Sequence, residues 1–173
     1  VLFDGKDMRM TFNGDARLQE LKEGGRVQLA FKDARVPDLA RYNRYVGNDQ
    51  LELLGGAGLL SGDVELDTSG RVGSGHADLR GNGARLRLAG LALSGNAAVQ
   101  ARLKRADFEQ KQFDLNGTTV RLQDVRVGAG GDAGWWGAVA IRQGHLSAAA
   151  PLRADAVADI TLRDAGPILD IFS

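Results

Sequence analysis

Residues 153–172 read RADAVADITLRDAGPILDIF and combine two structural signals. From Ala154 to Leu162 every second residue is alanine, isoleucine or leucine, and this period of two predicts a strand with one buried face. The segment 163–167 (RDAGP) follows the strand. Proline is favoured in the first turn of a helix because its missing N–H would have no partner there. The stretch therefore predicts a strand followed by a short helix.

The same arrangement occurs near the start of the chain. Residues 27–45 (VQLAFKDARVPDLARYNRY) alternate up to Phe31 and continue with an Asp-Ala pair, a proline and an apolar pattern at helical spacing. Pro37 and Pro167 are 130 residues apart. We interpret residues 1–173 as a single β-rich segment of a longer repeat array, with a possible repeat unit of about 130 residues at 34–165.

Composition narrows the class of protein. The chain of 173 residues has 22 Lys and Arg against 22 Asp and Glu, and this zero net charge argues against nucleic acid as a partner. It has 24 glycines, 3 prolines and no cysteine, which favours many tight turns and excludes disulfides and thiolate chemistry. No apolar run of about 18 residues predicts a transmembrane helix. Because the chain begins at Val1, we expect any targeting or anchoring segment to lie outside it.

Between the two copies, the sequence alternates in short runs separated by turn signals. A change of phase at 123–124 predicts a bulge, and residues 15–23 fit either a helical turn or, as we favour, a strand. Turns or breaks are predicted at 13–14, 55–56, 67–70, 81–83, 116–117 and 143–144. Short strands that are close in sequence pair most simply as a meander. The fold class is therefore mainly β, an antiparallel meander sheet curled into a groove or a sandwich-like shape, with short helices near 37–46 and 166–172.

A Leu-x-Gly motif recurs within these runs. In a repeating β-protein it places a leucine inward at the end of a strand and a glycine at the bend, although both residues are also common here. The five occurrences are at 60–62, 79–81, 88–90, 93–95 and 115–117. Trp135 and Trp136 are adjacent on a predicted strand, so their rings must face opposite sides. We expect one ring in the core and the other at the surface, where it could contact lipid or a partner.

No pattern in the sequence indicates catalysis. His76 and His145 lack a second metal ligand at a suitable spacing, and Asp63 and Asp67 are better explained by turn chemistry than by calcium binding. The glycine-rich segment 55–58 lacks the flanking residues of a phosphate-binding loop, and no Gly-x-Ser-x-Gly elbow occurs. We therefore predict no enzyme activity, catalytic residue, metal site or cofactor. The arginines that alternate with the apolar positions fit the solvated face of a sheet.

The combination of 32–39 (KDARVPDL), the Leu-x-Gly strands, 135–137 (WWG) and 163–169 (RDAGPIL) resembles the AsmA-like proteins of Gram-negative envelopes, relatives of TamB. The resemblance implies a β-groove, apolar inside and polar outside, that carries phospholipid acyl chains through the periplasm. It also implies an inner-membrane anchor outside this segment, neighbouring repeats of the same chain as partners, and a role in outer-membrane lipid homeostasis or assembly.

Inward-facing positions of the predicted strands are the candidates for lining such a groove: Val27, Leu29, Phe31, Leu86, Leu88, Leu103, Val120, Leu122, Trp135, Val139, Ile141, Ile160 and Leu162. Burial of such a face at about 25 cal/mol per Å2 stabilises a closed core as well as a lipid complex, so its size does not separate the two. The alternative is a structural or adhesion module with a closed sandwich or solenoid. An open, continuous apolar face would distinguish the groove from that module.

Overall fold

In a computed structural model of the chain, the described residues are 8–13, 26–43, 47, 49, 51–67, 71–107, 109–128, 131, 133–147 and 153–169. They form nine strands: β1 Met8–Asn13, β2 Arg26–Val36, β3 Leu51–Asp67, β4 Val72–Leu88, β5 Leu91–Asp107, β6 Gln112–Asp114, β7 Thr119–Val127, β8 Trp135–Ser147 and β9 Arg153–Leu162. A 3-10 helix spans Leu39–Tyr42, and a single α-helical turn spans Gly166–Leu169. The predicted strand or turn at 15–23 lies outside the described residues.

All nine strands belong to one antiparallel sheet, in which every two consecutive strands pair except β6 and β7. The predicted meander is therefore confirmed. The short β6 and the longer β7 together occupy one position between β5 and β8. The interruption between them is filled by Thr118, whose buried hydroxyl accepts a hydrogen bond from the Arg102 N–H at 3.0 Å. The sheet thus has eight strand positions in sequence order.

The strands are longer than the sequence pattern predicts. β3, β4 and β5 each have 17 residues, and the breaks predicted at 55–56, 81–83 and 143–144 are wrong. At each of these places the pairing register shifts while the strand continues. Gly56, for example, has φ 111° inside β3, a conformation that a residue without a side chain adopts at little cost. A glycine that signals a turn in sequence therefore forms a bulge when both neighbouring strands continue past it.

Other local predictions are confirmed. The phase change at 123–124 is a bulge, because Asp124 has φ 52° and the pairing with β8 shifts between Leu122 and Val125. A turn at 116–117 separates β6 from β7. Both predicted helices occur, at Leu39–Tyr42 and Gly166–Leu169 among the described residues.

The register gives the sheet one apolar face and one polar face. On the apolar face, one cross-strand row has an apolar residue on every strand position from β2 to β9. This apolar row consists of Ala34, Leu60, Leu79, Val99, Val120, Val139 and Ile160. Because successive residues of a strand point to opposite sides, their neighbours along each strand form the polar face.

Six of the buried apolar residues lie on the apolar face in two clusters. One cluster contains Val36, Leu39 and Ala84. The other contains Leu93, Val125 and Trp135. The two clusters are centred on different strands of the one sheet.

The Leu-x-Gly motif serves a different purpose from the one predicted. At 60–62, 79–81 and 93–95 both the leucine and the glycine lie within strands, so the predicted bend at the glycine is wrong there. A methyl group at Gly81 would lie 3.2 Å from Cδ1 of Leu39, and one at Gly62 would lie 2.8 Å from Cζ of Phe31. These glycines therefore make room for large side chains that lie over the sheet.

Candidate functional site

The apolar face contains all thirteen residues that the sequence selected as groove-lining candidates. β2 contributes three, β4 two, β5 one, β7 two, β8 three and β9 two, and the pairing places each on the same side of the sheet. Trp135 is buried at 8% exposure and Ile160 is exposed at 65%. The other eleven are half-buried.

Half-burial distinguishes an open face from a closed core. In a β-sandwich a second sheet covers the inner face and buries its side chains completely. Here every described strand belongs to one sheet, and its apolar side chains are screened by their neighbours while their outer surfaces stay accessible.

The apolar row is the longest continuous feature of this face. It crosses seven strand positions, which corresponds to about 29 Å at the usual spacing between strands. Its first residue, Ala34, is fully buried on β2, and its last, Ile160, is exposed on β9. The row therefore runs from a buried position to an exposed one.

The 3-10 helix covers the apolar face near β2. Asp38 caps it through a carboxylate that accepts a hydrogen bond from the Ala40 N–H at 3.0 Å. Asn43, at its end, is attached to β3 by two hydrogen bonds with the backbone of Leu53, at 2.6 and 2.7 Å. These bonds fix the helix so that Leu39 lies over Gly81, as described above.

Trp135 covers the apolar face near β8. A methyl group at Gly137 would lie 2.8 Å from the Trp135 ring, so the indole lies flat over that glycine. The ring Nε1–H donates to the backbone carbonyl of Asp164 at 2.9 Å, which satisfies its polar group. Trp136 projects from the opposite face and is 41% exposed. The prediction that the two rings separate into one core and one surface residue is confirmed.

Ion pairs across strands stabilise part of the polar face. Arg26 contacts Glu65 at 2.6 Å, and Arg102 contacts Asp78 at 3.2 Å. On β8 and β9, Arg142 forms a short bidentate pair with Asp159. The hydrogen bonds from that arginine lower the pKa of the Asp159 carboxyl below its usual range. These pairs connect neighbouring strands.

The remaining candidates have ordinary structural surroundings. The Asp67 carboxylate accepts hydrogen bonds from the N–H groups of Arg71 and Val72, which confirms its role in a turn. The Asp63 carboxylate instead accepts a bond from the Gln28 side chain of the neighbouring strand. Among the described residues, no three His, Asp or Glu side chains are close enough to hold a metal ion.

Sequence reasoning omitted part of the apolar row from the candidates. Leu60, Leu79 and Val99 lie at its centre, and Ala34 begins it. The Leu-x-Gly motif contained the signal for two of them, because Leu60 and Leu79 each precede a glycine that faces the same side. Val36 and Leu39 were also missed, since their burial depends on the fold of the helix against β3 and β4.

No protein-family model matches this chain, and comparisons with curated proteins and with solved structures also find no match. The resemblance to AsmA-like proteins therefore stays a prediction that rests on the sequence segments named for it. Within the described part of the chain, no helix has the length and apolar character needed to cross a membrane.

Proposed function

We propose that the apolar face holds the acyl chains of phospholipid and performs no chemistry on them. The observation that carries this proposal is the apolar row, which is continuous across the sheet and remains partly accessible on all described positions after Ala34. A hydrocarbon chain lying across the strands would contact one apolar side chain at every strand position. The polar face would remain in water.

The free energy of binding an acyl chain on this face favours transfer of lipid over its permanent storage. Removing a methylene from water contributes about 0.8 kcal/mol, so ten methylenes along the row would contribute about 8 kcal/mol before entropic costs. A bilayer offers the same hydrocarbon surroundings, because lipid tails are as apolar as leucine side chains. Exchange between membrane and protein would therefore be nearly balanced, and lipid could both enter and leave.

The proposal extends to the setting of the segment. We propose that it is one part of a repeat array, anchored in the inner membrane and extending through the periplasm, that supports outer-membrane lipid homeostasis; this part rests on the resemblance alone. The edge of β9 is suited to a neighbouring segment. Among the described strands β9 pairs only with β8, and it presents Ile160 and Val157 at 65% and 57% exposure. A further strand there would continue the sheet and the apolar row.

The alternative is a structural or adhesion module. It would require a second layer over the apolar face. In aqueous solution, a sheet with one apolar side must cover that side with another element. Single-layer pairing of the described strands and half-burial of their apolar side chains favour the lipid-binding proposal over this alternative.

The test is native mass spectrometry of detergent-free protein, with lipid extraction from the same sample, on the wild type and two variants. Ile160→Asp introduces a charge at an exposed position of the apolar face. Val157→Asp introduces the same charge on the same strand at an exposed position of the polar face. Neither position is in a buried cluster, so both variants are expected to fold.

We expect phospholipid to copurify with the wild type and with Val157→Asp, and its occupancy to fall at least several-fold in Ile160→Asp. Thermal unfolding of the three proteins controls for loss of structure. Protein that is free of lipid and also fails to bind added phospholipid would support the structural module instead. Equal occupancy in the two variants would place the lipid away from the apolar face.

A further inference from the structure

The arginines of the polar face divide into two groups. Four pair with carboxylates on neighbouring strands: Arg26 with Glu65, Arg87 with Glu52, Arg102 with Asp78 and Arg142 with Asp159. Others, including Arg9, Arg105 and Arg153, are exposed and have no ion pair among the described residues. Five of these unpaired arginines lie on β2, β4 and β7 and form the arginine patch: Arg35, Arg80, Arg85, Arg121 and Arg126.

The arginine patch is built by the sheet register. One cross-strand row begins with Arg35 opposite Leu59 and continues to Arg80. The same row then passes through Ala98 to Arg121. Its three arginines are separated by two strand spacings each, or about 10 Å. Leucine or alanine lies between them, so no carboxylate in this row neutralises their charge.

A second row of the patch lies toward the hairpin between β4 and β5. Ser94 of β5 pairs with Arg85 on one side and with Arg126 on the other, which separates these arginines by about 10 Å as well. The Arg85 guanidinium lies over Gly55, where an added methyl group would be 2.6 Å from Nη2. Asp124 is the one carboxylate of β7, against Arg121 and Arg126, so positive charge exceeds negative charge on that strand.

An amphipathic ring lies at the side of the patch. Trp136 is on the polar face of β8, next to β7, and is 41% exposed. Leu59, within the first row, is also exposed for a leucine at a polar-face position, at 38%. A surface that combines unpaired arginines with an exposed indole has the composition of a membrane-interface site.

We propose that the arginine patch and Trp136 bind the surface of a bilayer rich in anionic headgroups. Arginines at the described spacing would each contact a separate headgroup phosphate, and the Trp136 ring would enter the interfacial layer. This contact uses the face opposite to the proposed acyl-chain site and does not depend on it. It would hold the sheet flat against a membrane with its apolar face turned away.

A bilayer fits these observations better than a nucleic acid. The net charge of the chain is zero, so it lacks the extended basic field that nucleic-acid binding requires. The five unpaired arginines of the patch lie on one face of the sheet, and their attraction to an anionic surface acts within about a Debye length of that surface.

The experiment measures partition of the full chain onto vesicles of phosphatidylcholine containing one third phosphatidylglycerol, by cosedimentation. Arg80→Gln combined with Arg121→Gln removes two unpaired charges from the patch. Arg26→Gln combined with Arg142→Gln removes the same net charge from paired positions and is the matched control. Each basic residue near an anionic surface contributes about fivefold, so we expect the patch variant, which lacks two of them, to bind about 30-fold more weakly.

The control variant should bind within about twofold of the wild type, and added salt should weaken wild-type binding. Thermal unfolding of both double variants establishes that they fold. Equal losses in the two variants would overturn the proposal, because bulk charge would then explain binding. Binding of the wild type to vesicles of pure phosphatidylcholine, or to a duplex oligonucleotide but not to anionic vesicles, would overturn it as well.

Discussion

The two copies of the strand–Asp-Ala–proline–helix motif have opposite surroundings in the fold. In the first copy Val36 and Leu39 are buried in a core cluster, with Leu39 at 5% exposure. In the second copy Ile160 and Leu169 are exposed at 65% and 64%. The local sequences are similar, so the difference comes from what each copy packs against.

The number of neighbouring strands explains why the first copy is buried and the second is exposed. β2 lies between β1 and β3, and it continues beyond Asp33, because that residue adopts φ 49° and allows pairing to resume at Ala34. β9 pairs with β8 and ends at Leu162, before its own Asp-Ala pair. The first copy thus shows how the motif is buried when a further strand is present, and the second shows it at an edge.

The largest expected difference in stability is between alanine variants of the leucines in the two short helices. Leu39→Ala should reduce the free energy of unfolding by about 2–5 kcal/mol, because it leaves a cavity over Gly81. Leu169→Ala should change it by no more than about 0.5 kcal/mol, since the side chain is already in water. Urea denaturation monitored by circular dichroism measures both. Similar losses in the two variants would mean that the second helix is also packed in solution, for example against another copy of the chain.

A smaller effect on stability is expected at the β2 bulge at Asp33, which is present in the first copy and has no counterpart in β9. Asp33→Val places a β-branched residue at φ 49° and should cost about 1–2 kcal/mol of stability. Asp33→Gly adopts this conformation freely and keeps the backbone N–H that donates to Ser61 Oγ at 2.9 Å. Thermal unfolding should therefore rank glycine at or above aspartate, and both above valine. Equal stability of valine and glycine would show that this conformation is not required for β2 to continue.

The smallest effect concerns the ion pair that attaches β9 to β8. Arg142 lowers the pKa of Asp159 in the folded chain, so the stability that this contact provides is complete above the ordinary value of 3.8 and is lost as the pH falls through the lowered pKa. Arg142→Gln should return the Asp159 pKa to near 3.8 and leave stability at pH 7 almost unchanged. NMR titration of the Asp159 carboxyl measures the shift. An unaltered pKa in the variant would exclude Arg142 as its cause.

Sequence alternation predicted the faces of the sheet well. All thirteen candidate residues lie on one side, because the side-chain period of a strand is the same wherever the strand pairs. The strand ends were predicted poorly at Gly55, Gly81 and Gly144. Glycine permits both a turn and a bulge, and the choice depends on whether the neighbouring strand continues beside it.

The sequence by itself determined the β class, the meander order, the apolar and polar faces, and the separation of Trp135 from Trp136, because each follows from local periodicity or from the short connections between strands. Only the tertiary structure decided which copy of the motif is buried, which glycines lie beneath large side chains, and which arginines have carboxylate partners. These properties depend on register between strands far apart in sequence, and a shift of one residue in that register would exchange the two faces.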